Sequence, residues 1–145
     1  MGRELTYKTS LAWTEKKKAK VAFEDMAKEE IEIAVAPEFL GHPGIVTPED
    51  LFVSSINSCL MSYFLNVAEK MRVRFSSYES SAVGTLSEVG MDFIFSKIEI
   101  TVRIVASDEK SSERAARAME MAKKGCFVSN SVKSEVVVNY DVTIG

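Results

Sequence analysis

The chain has 145 residues, of which 46% are hydrophobic, which is enough for one compact domain with a substantial core. Its net charge of −3 argues against a surface built for nucleic acid or an anionic membrane. Its two cysteines, without a signal-peptide pattern, predict a reducing, cytoplasmic environment in which any disulfide would be transient and redox-active. Because the cysteines form no CxxC pair and only one histidine is present, no metal site is predicted.

The first part of the chain is predicted to form a three-stranded meander with one polar face. Charged clusters at 15–18 and 24–30 mark the turns, and residues 36–47, with two prolines and two glycines, form a loop in which His42 is a surface turn residue. Apolar residues alternate with polar ones along the strands, at Leu5, Tyr7, Leu11 and Trp13, then Val21 and Phe23, then Ile31, Ile33 and Val35.

The run from Thr47 to Met71 predicts a long helix around which the fold is organised. Thr47 is a candidate N-cap with Pro48 at the first helical position, and Asp50 completes a short-armed capping box. No charged side chain lies between Asp50 and Glu69, so the helix is apolar all round and predicted to be buried. A membrane span is the alternative, but six small polar residues disfavour it: Ser54, Ser55, Asn57, Ser58, Ser62 and Asn66.

The second half of the chain predicts two strands, a helix and a final strand. The first strand runs from Val73 to Leu86 with a bulge near Ser76–Ser77, and the next alternates from Ile94 to Ile104. The helix is predicted from Ser107 to a capping Gly125, and the last strand over 131–144. The order βββ-α-ββ-α-β predicts a single α+β domain over 1–145, with helices packed on a mainly antiparallel sheet.

Two short motifs carry a family resemblance that extends over nearly the whole chain. The first is Pro48-Glu49-Asp50-Leu51-Phe52 with Cys59 ten residues after the glutamate, and the second is Cys126-Phe127-Val128-Ser129-Asn130 before a valine-rich strand. Together they resemble the OsmC/Ohr family of osmotically inducible and organic-hydroperoxide-resistance proteins. The resemblance implies an OsmC-like fold in an intertwined homodimer.

The resemblance also implies a thiol peroxidase. Cys59 would attack an organic hydroperoxide, Cys126 would resolve the sulfenic acid as a disulfide, and an external dithiol would restore both thiols. No metal or organic cofactor is implied. Among the residues, Phe52, Tyr63, Phe64 and Phe127, with Leu60, are candidates for an apolar pocket that favours organic hydroperoxides over hydrogen peroxide. No nucleic acid or membrane partner is expected.

The thiolate that attacks a peroxide needs stabilisation, because apolar surroundings raise a thiol pKa. In the family an arginine held by the motif glutamate, here Glu49, fills this role, yet this sequence has no arginine between Arg3 and Arg72. Lys17 and Lys18 are the candidates to supply the charge instead.

Ten residues along one helix separate Glu49 from Cys59, a rise of about 15 Å, so the two cannot touch within one chain. A site shared across the dimer is therefore the hypothesis.

Two alternatives to the enzyme remain. One is a dimeric binding protein for an apolar or thiol ligand that lacks peroxidase activity because the arginine is missing. The other is an oligomeric protein whose cysteines only pack.

Overall fold

A computed structural model describes residues 2–145, which divide into two compact units, one ending at Phe52 and the other running from Val53 to Gly145. Single turns of 3₁₀ helix occur at Pro37–Phe39 and Ser129–Ser131. The regular elements are β1 (Thr9–Glu15), β2 (Lys18–Phe23), β3 (Ile31–Ala34), α1 (Pro48–Lys70), β4 (Phe75–Val89), β5 (Asp92–Ala106), α2 (Glu109–Gly125) and β6 (Glu135–Ile144). This order confirms the predicted βββ-α-ββ-α-β arrangement.

The first unit contains the predicted antiparallel meander, in the order β1-β2-β3. Trp13 pairs with Ala19, which in turn pairs with Ile33, and paired residues point to the same side of a sheet. One face of the meander is therefore apolar, and it is open, since Trp13 is 71% and Leu11 62% exposed. The alternation at Leu5 and Tyr7 precedes β1, which begins only at Thr9.

Helix α1 begins with the predicted capping box, here closed by an aspartate. The Asp50 N–H donates to Thr47 Oγ1 at 3.1 Å, and the Thr47 N–H donates back to Asp50 Oδ2 at 2.9 Å. The Thr47 hydroxyl also donates to the same carboxylate at 3.0 Å, which compensates for the shorter aspartate arm. Pro48 occupies the first helical position, where its missing N–H costs nothing.

The sheet of the second unit has the order β4-β5-β6 and is mainly antiparallel, as predicted. β6 pairs with β5 in parallel because α2 forms the crossover between them. The register of β4 shifts between Phe75 and Ser77, which confirms the predicted bulge. A second shift, between Thr85 and Leu86, was not predicted.

The part of α1 that lies in the second unit and the whole of α2 pack on one face of this sheet. The ring of Phe64 on α1 lies 5.3 Å from that of Tyr78 and 5.7 Å from that of Phe75. On the same face, at the β6 edge of the sheet, the Tyr140 hydroxyl donates to Glu120 Oε2 on α2 at 2.7 Å. Between them lies the buried face of the central strand, formed by Ile98, Ile100, Val102, Ile104 and Ala106. The alternation of β5 therefore builds the core, while its odd-numbered polar residues face outward.

The burial of α1 is narrower than the sequence suggested. Only one stripe is buried, so the expectation of burial on all sides is wrong. The stripe consists of Ile56, Leu60, Phe64, Val67 and Ala68, at the spacing of one helix face. By length and composition alone, α1 also meets the requirements for a membrane span. The contacts of Phe64 with β4 instead show this stripe packed on a sheet.

Candidate active site

The two cysteines, far apart in sequence, meet in the second unit. Cys59 is half-buried on α1, and Cys126 is the fully buried C-cap of α2, where its N–H donates to the Ala122 carbonyl at 3.0 Å. Both thiols are free, and they lie within hydrogen-bonding range of each other.

The surroundings of Cys59 act on its thiol in opposite directions. Burial is the largest influence and raises the pKa of Cys59, and the neighbouring Cys126 thiol raises it further. Backbone N–H groups of Val128 and Phe127 hydrogen-bond to the sulfur and lower the pKa, but less than burial raises it. Within residues 2–145, these strongest influences include no cation. Two peptide N–H groups thus stabilise the Cys59 thiolate where a charged side chain was expected.

Cys126 also has polar neighbours. The Ser129 hydroxyl donates to Cys126 Sγ at 3.1 Å. The Tyr78 hydroxyl is buried without a hydrogen-bond partner in residues 2–145. Burial, together with the negative charge of a Cys126 thiolate, raises the pKa of Tyr78 to about 12, so this hydroxyl keeps its proton. Ser129 can stabilise a thiolate at Cys126, and Tyr78 lies close enough for its pKa to respond to that charge.

The turn that carries these groups is held by its own hydrogen bonds. The Asn130 N–H donates to the Cys126 carbonyl at 3.1 Å, and the Asn130 side chain donates to the Lys124 carbonyl at the same distance. The Ser131 hydroxyl donates to the Phe127 carbonyl at 2.8 Å. These bonds leave the N–H groups of Phe127 and Val128 directed at Cys59.

Cys59 opens on a cavity of about 230 Å³ that runs along α1. Tyr63 and Phe127 form an edge-to-face pair at its wall, with ring centroids 6.0 Å apart. Phe127 is 72% exposed, an unusual degree for a phenylalanine, so its ring is available to a ligand. The lining residues are Cys59, Ser62, Tyr63, Asn66, Val67, Lys70 and Phe127.

Three predicted site residues, Cys59, Tyr63 and Phe127, line this cavity, and Cys126 lies beneath it in contact with Cys59. Phe64 and Leu60, predicted as pocket residues, instead belong to the fully buried core. They lie on the stripe of α1 that packs inward, whereas the cavity follows the adjacent stripe.

The other predicted residues lie in the first unit. Glu49 and Phe52 are half-buried in the opening turns of α1, and Glu49 forms no ion pair within residues 2–145. Lys17 Nζ donates to the Leu40 carbonyl at 2.8 Å, and its N–H donates to His42 Nε2 at 3.4 Å. Lys17 and Lys18 both line the apolar groove on the open face of the meander.

Sequence reasoning missed Lys70, Asn66, Ser129 and Tyr78. Positions 59, 63, 66, 67 and 70 follow one face of a helix, so this spacing could have identified Asn66 and Lys70 once Cys59 was chosen. No sequence signal placed Tyr78, on β4, beside Cys126.

Gly125 has a different role from the predicted cap. It is the last residue of α2, with Cys126 as the cap, and a Cβ atom here would overlap the Tyr63 ring. We expect Gly125→Ala to lower the free energy of unfolding by about 1–2 kcal/mol, because overpacking outweighs the better helix propensity of alanine. Chemical denaturation measures the change, and Lys124→Ala, on the exposed side of the same turn, is the control. A stabilised Gly125→Ala variant would contradict the close packing of Tyr63 on this turn.

Comparisons with known proteins identify the family of this chain. The family model described as OsmC-like protein matches residues 41–141. This chain belongs to the OsmC-like protein family. The match confirms the resemblance drawn from the two cysteine motifs. A search of curated proteins finds no match.

Solved structures share the OsmC-like fold over almost the full chain. An OsmC-like protein of unknown function from Vibrio cholerae superposes with a TM-score of 0.84 at 24% identity, covering 95% of this chain and 100% of that one. An organic hydroperoxide resistance protein from Elizabethkingia anophelis gives 0.74 at 18% identity, with 100% of both chains covered. A protein of the same description from Legionella pneumophila gives 0.70 at 18% identity, covering 98% and 99%. These likenesses confirm the predicted α+β fold class.

Proposed function

We propose that this OsmC-like protein is a thiol-dependent peroxidase that reduces organic hydroperoxides. The observation that carries the proposal is the pairing of two free thiols within hydrogen-bonding range, one opening on a cavity and the other fully buried. A nucleophilic thiol beside a resolving thiol is an arrangement typical of reversible peroxide chemistry. The organic hydroperoxide resistance proteins among the structural relatives support the same reading.

The first step is attack by the Cys59 thiolate on a peroxide oxygen. The O–O bond breaks, the substrate leaves as an alcohol after taking a proton, and Cys59 becomes a sulfenic acid. The N–H groups of Val128 and Phe127 stabilise the attacking thiolate. The Cys126 sulfur then attacks Cys59, so that the S–S bond forms and the hydroxyl leaves as water.

The return step takes two electrons from an external dithiol, which is itself oxidised to a disulfide. Cys126 is fully buried whereas Cys59 lines the cavity, so the dithiol attacks Cys59 and Cys126 leaves as the thiolate. The Ser129 hydroxyl, 3.1 Å from Cys126, stabilises that leaving group. The cycle uses no metal or organic cofactor.

The wall of the cavity favours organic over inorganic peroxides. Tyr63, Val67 and Phe127 offer apolar surface to a hydrocarbon group, while hydrogen peroxide gains nothing from it. The protein works in the cytoplasm, where a reducing environment keeps the cysteines ready for reaction.

The working form is a homodimer. The open apolar face of the meander, with Leu11, Trp13 and Ile33 along a groove of about 280 Å³, is a surface that a second copy of the chain would cover. Glu49 would then act on the Cys59 of the partner chain rather than on its own.

A mixed dimer tests this sharing. When Glu49→Ala chains are combined with Cys59→Ser chains, one of the two sites regains both native residues. We expect about half of the wild-type turnover per dimer. Dimers of either variant alone are the controls and should show neither site intact. Turnover in the mixture no higher than the average of the two controls would contradict a shared site.

Mass spectrometry tests the reaction itself. After treatment with one equivalent of cumene hydroperoxide, the wild-type chain should contain a Cys59–Cys126 disulfide that a dithiol removes. Recovery of both free thiols after peroxide treatment would overturn the peroxidase.

A second candidate function is a binding protein for an apolar or thiol ligand. The observation in its favour is that no cation is among the strongest influences on the Cys59 pKa within residues 2–145. A copurified ligand in the cavity, together with cysteines inert to peroxide, would support this function over the enzyme.

A further inference from the structure

The Tyr78 hydroxyl is a buried donor that the reaction described above does not use. Within residues 2–145 it has no hydrogen-bond partner, whereas buried hydroxyls are nearly always paired. We propose that Tyr78 is a positioning residue that acts through Cys126, because its hydroxyl donates to the Cys126 sulfur when that sulfur leaves the Cys59–Cys126 disulfide as a thiolate. The role of Tyr78 in turnover rests on the proposed peroxidase function, but cleavage of the disulfide can be measured by itself.

Helix α1 places Tyr78 and Cys126 at the same level of the fold. Tyr63 on α1 lies so close to Gly125 that a Cβ atom there would overlap its ring, and Gly125 directly precedes Cys126. The next residue of the helix, Phe64, packs on Tyr78 with ring centroids 5.3 Å apart. Two consecutive residues of α1 therefore contact the turn that carries Cys126 and the ring of Tyr78.

The charge of a Cys126 thiolate acts on the Tyr78 hydroxyl. Burial raises the pKa of Tyr78 to about 12, and the negative charge at Cys126 contributes to this rise. Charges shift a pKa mainly over about 4–6 Å, so the oxygen lies near the sulfur. Because Tyr78 keeps its proton at neutral pH, it acts as a hydrogen-bond donor and not as an acid.

We expect the hydrogen bond to form when the sulfur becomes charged. In the reduced protein the hydroxyl does not bond to the Cys126 thiol, which is a weak acceptor. A thiolate accepts hydrogen bonds more strongly, since bonds to ionised groups are about twice as strong as neutral ones. Cys126 is fully buried, and the Ser129 hydroxyl, 3.1 Å from Sγ, is one donor to it. Tyr78 supplies a second donor for this buried charge.

Cleavage of the disulfide by dithiothreitol contains the step that this hydrogen bond accelerates. A thiolate of the reagent attacks the Cys59 sulfur and forms a mixed disulfide, while Cys126 leaves with the electron pair of the broken S–S bond. The second thiol of the reagent then displaces Cys59, which yields oxidised dithiothreitol and two protein thiols. This second step is intramolecular and fast, so the first step limits the rate. Stabilising the leaving thiolate speeds that first step.

Tyr78→Phe tests the proposal because it removes only the hydroxyl. The disulfide is formed with diamide, which is reduced to a hydrazine as the two thiols are oxidised, so no peroxidase activity is needed. We expect dithiothreitol to cleave it about tenfold more slowly in Tyr78→Phe than in the wild type, the lower end of the range for one hydrogen bond to a charged group. Mass spectrometry of quenched samples measures the rate. Tyr7→Phe, which removes an exposed hydroxyl, is the control and should change nothing.

Two further measurements separate this role from a loss of packing. The unfolding free energy of reduced Tyr78→Phe should equal or exceed that of the wild type, because the hydroxyl it removes is buried without a partner. Alkylation of Cys59 by iodoacetamide requires no leaving group at Cys126 and should proceed at the wild-type rate. Equal rates of disulfide cleavage in Tyr78→Phe and the wild type would overturn the proposal. So would slower cleavage accompanied by loss of stability or slower alkylation.

The outcome for Tyr78 is distinguishable from the outcome for the peroxidase. If diamide forms the disulfide, cumene hydroperoxide does not, and Tyr78→Phe slows its cleavage, the role of Tyr78 is supported and the peroxidase is overturned. Formation of the disulfide by cumene hydroperoxide, together with equal cleavage rates, would do the reverse.

Discussion

Replacing Cys59 by serine is expected to abolish the turnover of cumene hydroperoxide with a dithiol reductant, by about 10³-fold or more. A serine hydroxyl at this position is not ionised near neutral pH, and it cannot form the sulfur–oxygen intermediate. Consumption of the peroxide, followed in time, measures the loss. An unchanged unfolding curve would show that the variant is folded, and undiminished turnover would rule out Cys59 as the nucleophile.

Cys126→Ser should separate the two half-reactions. The first oxidation of Cys59 should proceed once per chain, because its nucleophile and the N–H groups of Val128 and Phe127 remain in place. The reaction should then stop at the sulfenic acid, detectable as the gain of one oxygen atom at Cys59. Repeated turnover by Cys126→Ser would show that Cys126 is not the resolving thiol.

The reactivity of Cys59 should increase with pH beyond the range of an ordinary cysteine. Burial raises the pKa of its thiol, so the protonated, unreactive form persists above the ordinary value of about 8.5. Below the raised pKa, the thiolate fraction and the alkylation rate should grow about tenfold for each pH unit. Only above it should the rate level off.

Iodoacetamide is a suitable reagent, because it is uncharged and its own reactivity does not change over this range. Free cysteine under the same conditions is the control and should level off at lower pH. A plateau for Cys59 below that of free cysteine would mean that the N–H groups of Val128 and Phe127 outweigh burial, contrary to the pKa direction given by the structure.

The local features of the fold could be predicted because they depend on neighbouring residues. The capping box of Thr47 and Asp50 follows from spacing alone, and the break in alternation near Ser76 indicated the bulge. The missed register shift after Thr85 leaves Ser96 of β5 as the extra residue, next to the run Phe93-Ile94-Phe95 in which the alternation of β5 breaks. The pattern of β4 alone does not show this shift, because the extra residue lies on its partner strand.

The two cysteines of the candidate site could be predicted from the sequence, but the polar groups around them could not. The two cysteine motifs identified Cys59 and Cys126. Every residue except proline has a backbone N–H, so the sequence does not show that the N–H groups of Phe127 and Val128 act on Cys59. The search for a group that stabilises the thiolate therefore led to lysine side chains. Phe64 and Tyr63 are adjacent aromatics on α1, and only packing on the sheet decides that Phe64 enters the core and Tyr63 the cavity.

The proximity of the two thiols in the reduced protein affects how well the protein resists irreversible oxidation at high peroxide concentrations. A sulfenic acid is open to a second peroxide molecule, which converts it irreversibly to a sulfinic acid. Because the Cys126 side chain is already close enough to Cys59 to act on its pKa, formation of the disulfide competes with that second attack. Over-oxidation of Cys59 should therefore be rare. After high doses of peroxide, thiols should still restore the reduced protein, whereas the same doses permanently inactivate enzymes in which the resolving cysteine has to move before the disulfide can form.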